Sequence, residues 1–214
     1  MSFYKMEINF YISHGKRIFD LALTISGFVV LLPVLIITAL LVRFKLGSPV
    51  LFKQVRPGVN EKSFTLFKFR TMSDARDADG ALLPDSVRLT RLGRFLRATS
   101  LDELPELWNV LKGDMSLVGP RPLLMRYLEY FNKEERIRFT VRPGITGLAQ
   151  ISGRNDLSWD KRLLADIQYV QKISFLRDLK ILAFTVLRVF KKQGVRTDPS
   201  IVMLDLDEER RNKQ

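Results

Sequence analysis

The sequence predicts an α+β protein that is mainly helical. Three observations support this class. An uncharged, apolar run occupies residues 21–42, two strand-forming segments flank a turn at RPGVNE, and the later half carries apolar residues at helical spacing. The strand-forming segments are too few for a large sheet, so we expect one small β-hairpin among helices.

The length, composition and net charge of the chain exclude several classes of protein. The 214 residues suit one domain with a sizeable core, and the absence of cysteine excludes disulfide frameworks and thiolate metal sites. A single histidine, His14, argues against a histidine-based metal centre or a Ser-His-Asp triad. Any catalysis therefore rests on carboxylates, Lys, Arg, hydroxyls or backbone groups. The net charge of +12 predicts anionic partners, but we find no nucleic-acid-binding motif and expect no nucleic acid.

The apolar run is long enough for a membrane. Its 22 residues would form a helix of roughly 33 Å, against a hydrocarbon core of about 30 Å. Pro33 lies near its middle and invites a kink. Basic residues flank both ends, so two topologies remain open: a kinked spanning helix, or a re-entrant helix that returns to the cytoplasmic face. The flanking residues are Lys16, Arg17, Arg43 and Lys45.

The segments VLFKQV and SFTLFKFRTM predict a β-hairpin. Alternation places Lys68 and Arg70 on one face of its second strand, opposite Phe67 and Phe69. These two cations form either a solvated basic face or part of an anion site.

The segment RATSLDELPELWNVLKGDMSLVGPRP carries the strongest local signal. Adjacent carboxylates, Asp102 and Glu103, precede an apolar helical run, and Pro105 predicts that the helix begins near Asp102. A helix N-terminus attracts phosphate, and Arg97 could add a forked donor. A structural alternative is a capping box in which Glu103 bonds back to Ser100.

Arg121 stands between Pro120 and Pro122 in the same segment. Prolines on both sides restrict the backbone, so the guanidinium is aimed at low entropic cost. An ordinary proline-rich bend would have the same sequence. Downstream, VRPGITGLAQISGRND has no helical period, and its glycines suit either plain turns or close approach of the backbone to a ligand. We expect helices at 85–98, 104–111, 123–138, 158–172 and 175–192, and a loosely ordered charged tail.

Together, KRIFD, KFRTM, TSLDELPELWNVLKGDMSLVGPRP and RPGITGLAQISGR resemble the bacterial sugar transferases, from Lys16 to about Gly194. More narrowly, they resemble the small monotopic phosphoglycosyl transferases. The loop TMSDARDADGALLPD is similar to that of members acting on UDP-N,N'-diacetylbacillosamine.

The resemblance implies a two-step transfer. Asp102 would attack the sugar-linked phosphate of a UDP-sugar and expel UMP, with Glu103 as its partner and Mg²⁺ near Asp102. Undecaprenyl phosphate would then capture the phospho-sugar. Arg97 would contact the phosphate and Arg121 the nucleotide. Further substrate-binding candidates are Lys68, Arg70, Pro120, Pro122, Arg142, Gly147, Gly153 and Arg154.

The resemblance also implies an arrangement in the bacterial inner membrane. Residues 1–47 would hold a re-entrant membrane helix hairpin broken near Pro33, 48–194 the cytoplasmic catalytic domain with amphipathic interfacial helices, and 195–214 the tail. The family breaks this helix at a Ser-Pro pair, whereas Leu32 precedes the proline here. Anionic lipids are expected partners. The alternative function is a non-catalytic basic membrane adaptor that recruits anionic partners.

Overall fold

The structure, a computed structural model, describes residues 10–153, 157–191 and 205–212. Its described part is mainly helical with a small β-hairpin, as the sequence predicts, and it also contains a second small sheet. The α-helices are α1 Lys16–Leu46, α2 Asp85–Arg88, α3 Arg91–Thr99, α4 Glu106–Lys112, α5 Leu148–Ser152, α6 Trp159–Gln171, α7 Phe175–Lys191 and α8 Leu206–Arg211. The strands are β1 Leu51–Pro57, β2 Ser63–Phe69, β3 Ser116–Val118 and β4 Gly144–Thr146.

Helix α1 contains the apolar run and remains one helical element across Pro33. With the turn before it, Tyr11–Leu46 is the one helix in the described chain that is long and apolar enough to cross a membrane. Division of α1 into two arms stays a prediction. Its other faces expose apolar side chains, and one side is buried against the domain at helical spacing, through Asp20, Thr24, Thr38 and Val42.

The β-hairpin is confirmed. Strands β1 and β2 pair antiparallel from Leu51 opposite Phe69 to Pro57 opposite Ser63. Since residues two apart share a face, Arg56 and Lys68 lie on the same face of this hairpin.

A second sheet was not predicted. Strands β3 and β4 are parallel and only three residues long. Their junction needs glycine, because a Cβ on Gly144 would lie 2.1 Å from the Gly119 nitrogen and one on Gly147 would lie 2.2 Å from the Gly119 oxygen. Gly147 therefore permits backbone packing at this junction.

One predicted helix is divided into two and another is wrong. The segment 85–98 is divided at Leu89, whose backbone is extended, and α3 begins afresh where the Thr90 side chain accepts from the Gly93 N–H. The segment 123–138 forms two 3₁₀ turns, because Asn132 and Glu135 bond reciprocally through side chain and backbone and start a new turn. The predicted helices at 158–172 and 175–192 are confirmed as α6 and α7.

The expected loose tail is also wrong for the part that the structure describes. Leu206, in α8, is fully buried against Tyr127 and Trp159. Arg210 adds an ion pair with Glu135 at 2.6 Å. One buried apolar side chain and ion pairs thus dock the described part of this charged segment.

Asp178, in α7, fastens α1 to the domain. It is fully buried and accepts hydrogen bonds from Tyr11 at 2.7 Å, Lys16 at 2.6 Å and Tyr169 at 2.8 Å. Tyr11 precedes α1, Lys16 is its first residue, and Tyr169 belongs to α6. One carboxylate thus holds three helical segments together.

Replacing Asp178 with Asn should destabilise the protein by about 3–5 kcal/mol, because Lys16 would lose its counter-charge in a largely buried site. The measurement is the unfolding midpoint in detergent, with exposed Glu129→Gln as the matched control. Adding Lys16→Met should recover part of the loss. An unchanged midpoint in Asp178→Asn would contradict this role.

Candidate active site

Asp102 and Glu103 lie in a 3₁₀ turn, Leu101–Glu103, between α3 and α4. Ser100 turns the chain there with a left-handed backbone, φ 57°, and its side chain caps nothing. The Glu103 carboxylate bonds to side chains from other segments, so the capping-box alternative is wrong. The α-helix itself begins only at Glu106, after Pro105.

Glu103 is held between two cations. Its Oε1 accepts from Lys68 Nζ at 2.8 Å and from Arg121 Nη2 at 2.6 Å. Burial by itself disfavours the charged carboxylate, but Arg121 and Lys68 outweigh burial and hold the pKa of Glu103 well below its usual range. Glu103 is therefore a fixed anion.

Asp102 has a different environment from its neighbour. It is 8 % exposed, and no side chain in the described chain donates a hydrogen bond to its carboxylate. Burial raises the pKa of Asp102, and Glu103 raises it further, while Lys68, Arg97 and Arg121 act in the opposite direction. The Asp102 carboxylate is therefore free to meet a ligand, with three cations close enough to act on its charge.

A third carboxylate, Glu106, was missed by the sequence analysis. It is 2 % exposed and lies 3.2 Å from Lys68 Nζ. Burial and the Glu103 charge raise the pKa of Glu106 to about 7. The signal was available, because Glu106 follows Asp102 by four residues and would share its helical face.

Asn109 fixes these carboxylates against the hairpin, and it was also missed. This fully buried side chain accepts from the Phe67 N–H at 3.1 Å and donates to the Thr65 carbonyl at 2.7 Å. One amide therefore satisfies an N–H and a C=O of β2. Lys68, the residue after Phe67, is thereby set in register with Glu103.

Arg97 approaches from α3. Its Nε donates to Thr71 Oγ1 at 3.1 Å, and α3 packs so closely on this segment that a Cβ on Gly93 would lie 1.9 Å from the Thr71 oxygen. The glycine permits the approach that brings Arg97 to the cleft described below.

The turn at 120–122 is fastened through its backbone. Its three consecutive carbonyl oxygens all accept hydrogen bonds, so the Arg121 side chain is presented from a fixed turn. The Gly144 N–H donates to the Pro120 carbonyl at 2.9 Å. Arg138 Nη2 donates to the Arg121 carbonyl at 2.6 Å, and Arg56 Nη1 donates to the Pro122 carbonyl at 3.3 Å. Arg56 and Arg138 were not predicted, because neither is near the turn in sequence.

A cleft of about 960 Å³ joins these groups. Its lining includes both acidic residues of the pair and every cation just described, and its size is at the upper end for small-molecule sites. The basic residues that line it are Lys53, Arg56, Lys68, Arg70, Arg88, Arg97, Arg121, Arg138 and Arg162.

Not every predicted substrate-binding residue lies here. Arg70 lines the cleft, donating to Asp74 at 2.9 Å. Arg142 is exposed, donates to the Gly113 carbonyl at 2.9 Å and does not line it. Gly147 and Gly153 also lie outside the lining, as do Pro120 and Pro122, and Arg154 is outside the described residues. The substrate roles of all these residues stay predictions.

The carboxylates of this site fit Mg²⁺ only if a substrate supplies further oxygen ligands. The described chain contains no group of three or more His, Cys, Asp or Glu side chains that could hold a metal ion. Glu103 and Glu106 are paired with cations, which leaves the Asp102 carboxylate. Mg²⁺ is commonly bound by one or two carboxylates together with waters and substrate phosphates, so Asp102 suits an ion that arrives with a phosphorylated ligand.

Buried carboxylates among cations in such a cleft are typical of an enzyme that handles phosphorylated substrates. A family model described as bacterial sugar transferase matches residues 11–192. The chain therefore belongs to the bacterial sugar transferase family, which confirms the resemblance seen in its motifs. The likeness to the bacillosamine-type members stays a prediction.

Individual relatives agree with this membership. The chain is 55 % identical over 181 residues to the uncharacterized sugar transferase EpsL of Bacillus subtilis, covering 85 % of this chain and 90 % of EpsL. It is 41 % identical over 182 residues to a UDP-glucose:undecaprenyl-phosphate glucose-1-phosphate transferase of Caulobacter vibrioides, covering 80 % and 68 %. It is 39 % identical over 196 residues to the UDP-galactose-lipid carrier transferase of Erwinia amylovora, covering 84 % of this chain and 41 % of that protein.

The raised pKa of Glu106 makes a prediction about stability. Because the folded protein binds this proton more tightly than the unfolded chain, the stability it contributes is full below about pH 4.5 and is lost as the pH rises through about 7. Between about pH 5 and about pH 8, the unfolding midpoint should fall more in the wild type than in Glu106→Gln, whose side chain does not titrate. Glu129→Gln is the control, and equal pH dependence in Glu106→Gln and the wild type would contradict the assignment.

Proposed function

We propose that this protein transfers a sugar 1-phosphate from a UDP-sugar to undecaprenyl phosphate and releases UMP, through a covalent aspartyl phospho-sugar. One observation supports this proposal most directly. The Asp102 carboxylate is buried in a large cleft, receives no hydrogen bond from the described side chains, and lies among Lys68, Arg97 and Arg121.

In the first half-reaction, an Asp102 oxygen attacks the sugar-linked phosphorus. The bond from this phosphorus to the bridging oxygen breaks, and UMP leaves with that oxygen and its electron pair. Arg97 and Arg121 stabilise the charge that develops on the phosphate oxygens. Glu103 serves as the fixed anion that positions Lys68 and Arg121. Mg²⁺ held by Asp102 and the diphosphate would add charge neutralisation.

In the second half-reaction, a phosphate oxygen of undecaprenyl phosphate attacks the same phosphorus. The acyl phosphate bond breaks, the Asp102 carboxylate is restored, and an undecaprenyl-diphosphate sugar forms. No proton transfer is needed in either step, which agrees with the single histidine of the chain. Three sugars are candidates for the donor: relatives are named for glucose and galactose, and the loop motif favours a diacetylated amino sugar.

We further propose a re-entrant α1 in the bacterial inner membrane, with the catalytic domain on the cytoplasmic face. Both ends of α1 contact that domain: Arg17 donates to the Val110 carbonyl at 2.6 Å, and Val42 packs against Phe69 and Leu96. A helix perpendicular to the membrane would place its ends on opposite sides. The net charge of +12 would draw the protein to anionic lipids.

The test of the reaction is UMP release. Purified protein is given a panel of UDP-sugars, including UDP-N,N'-diacetylbacillosamine, UDP-glucose and UDP-galactose, with Mg²⁺ or a chelator. We expect acceptor-dependent UMP in Mg²⁺, loss with chelator, and a stoichiometric UMP burst without acceptor. Asp102→Asn should lower turnover by several orders of magnitude, because the amide is no nucleophile.

Glu129→Gln is the control, since it replaces a carboxylate by its amide at an exposed position outside the cleft lining. Turnover retained in folded Asp102→Asn would reject the nucleophile. UDP as the product would mean ordinary glycosyl transfer. No nucleotide product from any donor would favour the adaptor function instead.

The absence of cysteine allows a direct test of topology. Single substitutions Ser13→Cys and Lys45→Cys place exposed thiols on the two sides of the apolar run. In membrane vesicles of known orientation, an impermeant maleimide should label both thiols only from the cytoplasmic side. Labelling of the two from opposite sides would show a spanning helix and contradict re-entry.

A further inference from the structure

Arg56 is held against the turn at 120–122 and still has an N–H group without a hydrogen-bond partner among the described residues. Its Nη1 donates to the Pro122 carbonyl at 3.3 Å and its Nη2 to Gln54 Oε1 at 2.6 Å. Its Nε is buried and has no hydrogen-bond partner in the described chain. A buried N–H without a partner is costly, and here it belongs to a residue that lines the cleft.

The charge of Arg56 also has no ion-pair partner among the described carboxylates. Burial, and then Arg121, lower the pKa of Arg56 to about 10, although the Glu106 charge acts in the opposite direction. Arg121 in turn has Glu103 as its one side-chain hydrogen-bond partner among the described residues. Of these two neighbouring guanidinium groups, only Arg121 is bonded to a described carboxylate, an arrangement that a bound anion would stabilise.

Arg138 completes this side of the cleft. It is 4 % exposed, and its charge is matched by Asp166 at 3.1 Å. Its Nε and Nη1 are nevertheless buried without partners in the described chain. Arg138 therefore offers unpaired N–H donors, but its charge is already matched. Arg56 offers an unpaired N–H donor and a charge that has no ion-pair partner among the described residues.

We propose that Arg56 and Arg121 form a phosphate subsite that binds a phosphate monoester beside the turn at 120–122, while Asp102 reacts at the sugar phosphate. This rests on the proposed function, which requires two phosphate groups in one cleft. Two species supply a phosphate monoester there: the nucleoside monophosphate that leaves and the polyprenyl phosphate that accepts. A forked guanidinium suits the oxygens of either one.

The subsite is tested by Arg56→Gln in the full chain, with exposed Lys62→Gln of the same hairpin as the matched control. The glutamine amide carries no charge and its nitrogen stands in the place of Nε rather than Nη1, so the unfolding midpoint is measured for each variant to separate loss of anion binding from loss of support of the turn. The readouts are the Kd for UMP and for inorganic phosphate by calorimetry, and the KM for each substrate.

We expect Arg56→Gln to weaken UMP binding by roughly 10- to 100-fold, the range for a lost charge-assisted hydrogen bond, with Lys62→Gln unchanged. An unchanged Kd for UMP with a raised KM for the polyprenyl phosphate would assign the subsite to the lipid phosphate. Unchanged UMP and phosphate binding together with unchanged KM values would overturn it.

Two further arms keep the test decisive. Arg56→Lys retains the charge without the fork, so it should show a smaller loss, and it replaces Arg56→Gln if that variant fails to fold. Wild-type protein that released no UMP would refute the proposed reaction. Inorganic phosphate binding that still depended on Arg56 would then support the subsite, and binding independent of Arg56 would refute it.

Discussion

The site depends on the hydrogen bonds to one carboxylate oxygen. Glu103 Oε1 receives both Lys68 and Arg121, and so joins strand β2, the 3₁₀ turn and the turn at 120–122, three segments that are far apart in the chain. Removing Glu103 would leave Arg121 without its one bonded carboxylate among the described residues, and removing either cation would leave Glu103 with a single partner. Because these donors point to Glu103, they leave the adjacent Asp102 carboxylate unbonded. The proposed nucleophile thus depends on its neighbour to hold the cations.

The same cluster gives its three carboxylates different proton affinities. Bonded cations hold the pKa of Glu103 low, while burial raises the pKa values of Asp102 and Glu106. Neighbouring acids whose environments move their pKa values in opposite directions have different chemical roles.

The parts of the fold that sequence predicts are those with local causes. The hairpin follows from alternation around a turn, α6 and α7 follow from helical periodicity, and Asp102 and Arg121 follow from a dense motif. The missed parts depend on distant partners. Asn109 matters because β2 lies beside it, Arg56 because the turn at 120–122 does, and the short β3–β4 pair because glycines let two backbones meet. No local pattern records such pairings.

Helix α7 both lines the cleft and exposes an apolar surface that suits a membrane. Thr185 and Val189 on this helix line the cleft. Its other faces expose Leu176, Val186 and Leu187, although α7 is packed into the domain through fully buried Asp178. An apolar helix face of this kind is stable in the interface of a bilayer. The proposed acceptor, undecaprenyl phosphate, likewise has a polar part and an apolar part, because its phosphate stands at the end of a hydrocarbon chain. Its chain could stay in the bilayer along α7 while its phosphate reaches the cations of the cleft, so the lipid would not need to leave the membrane to react.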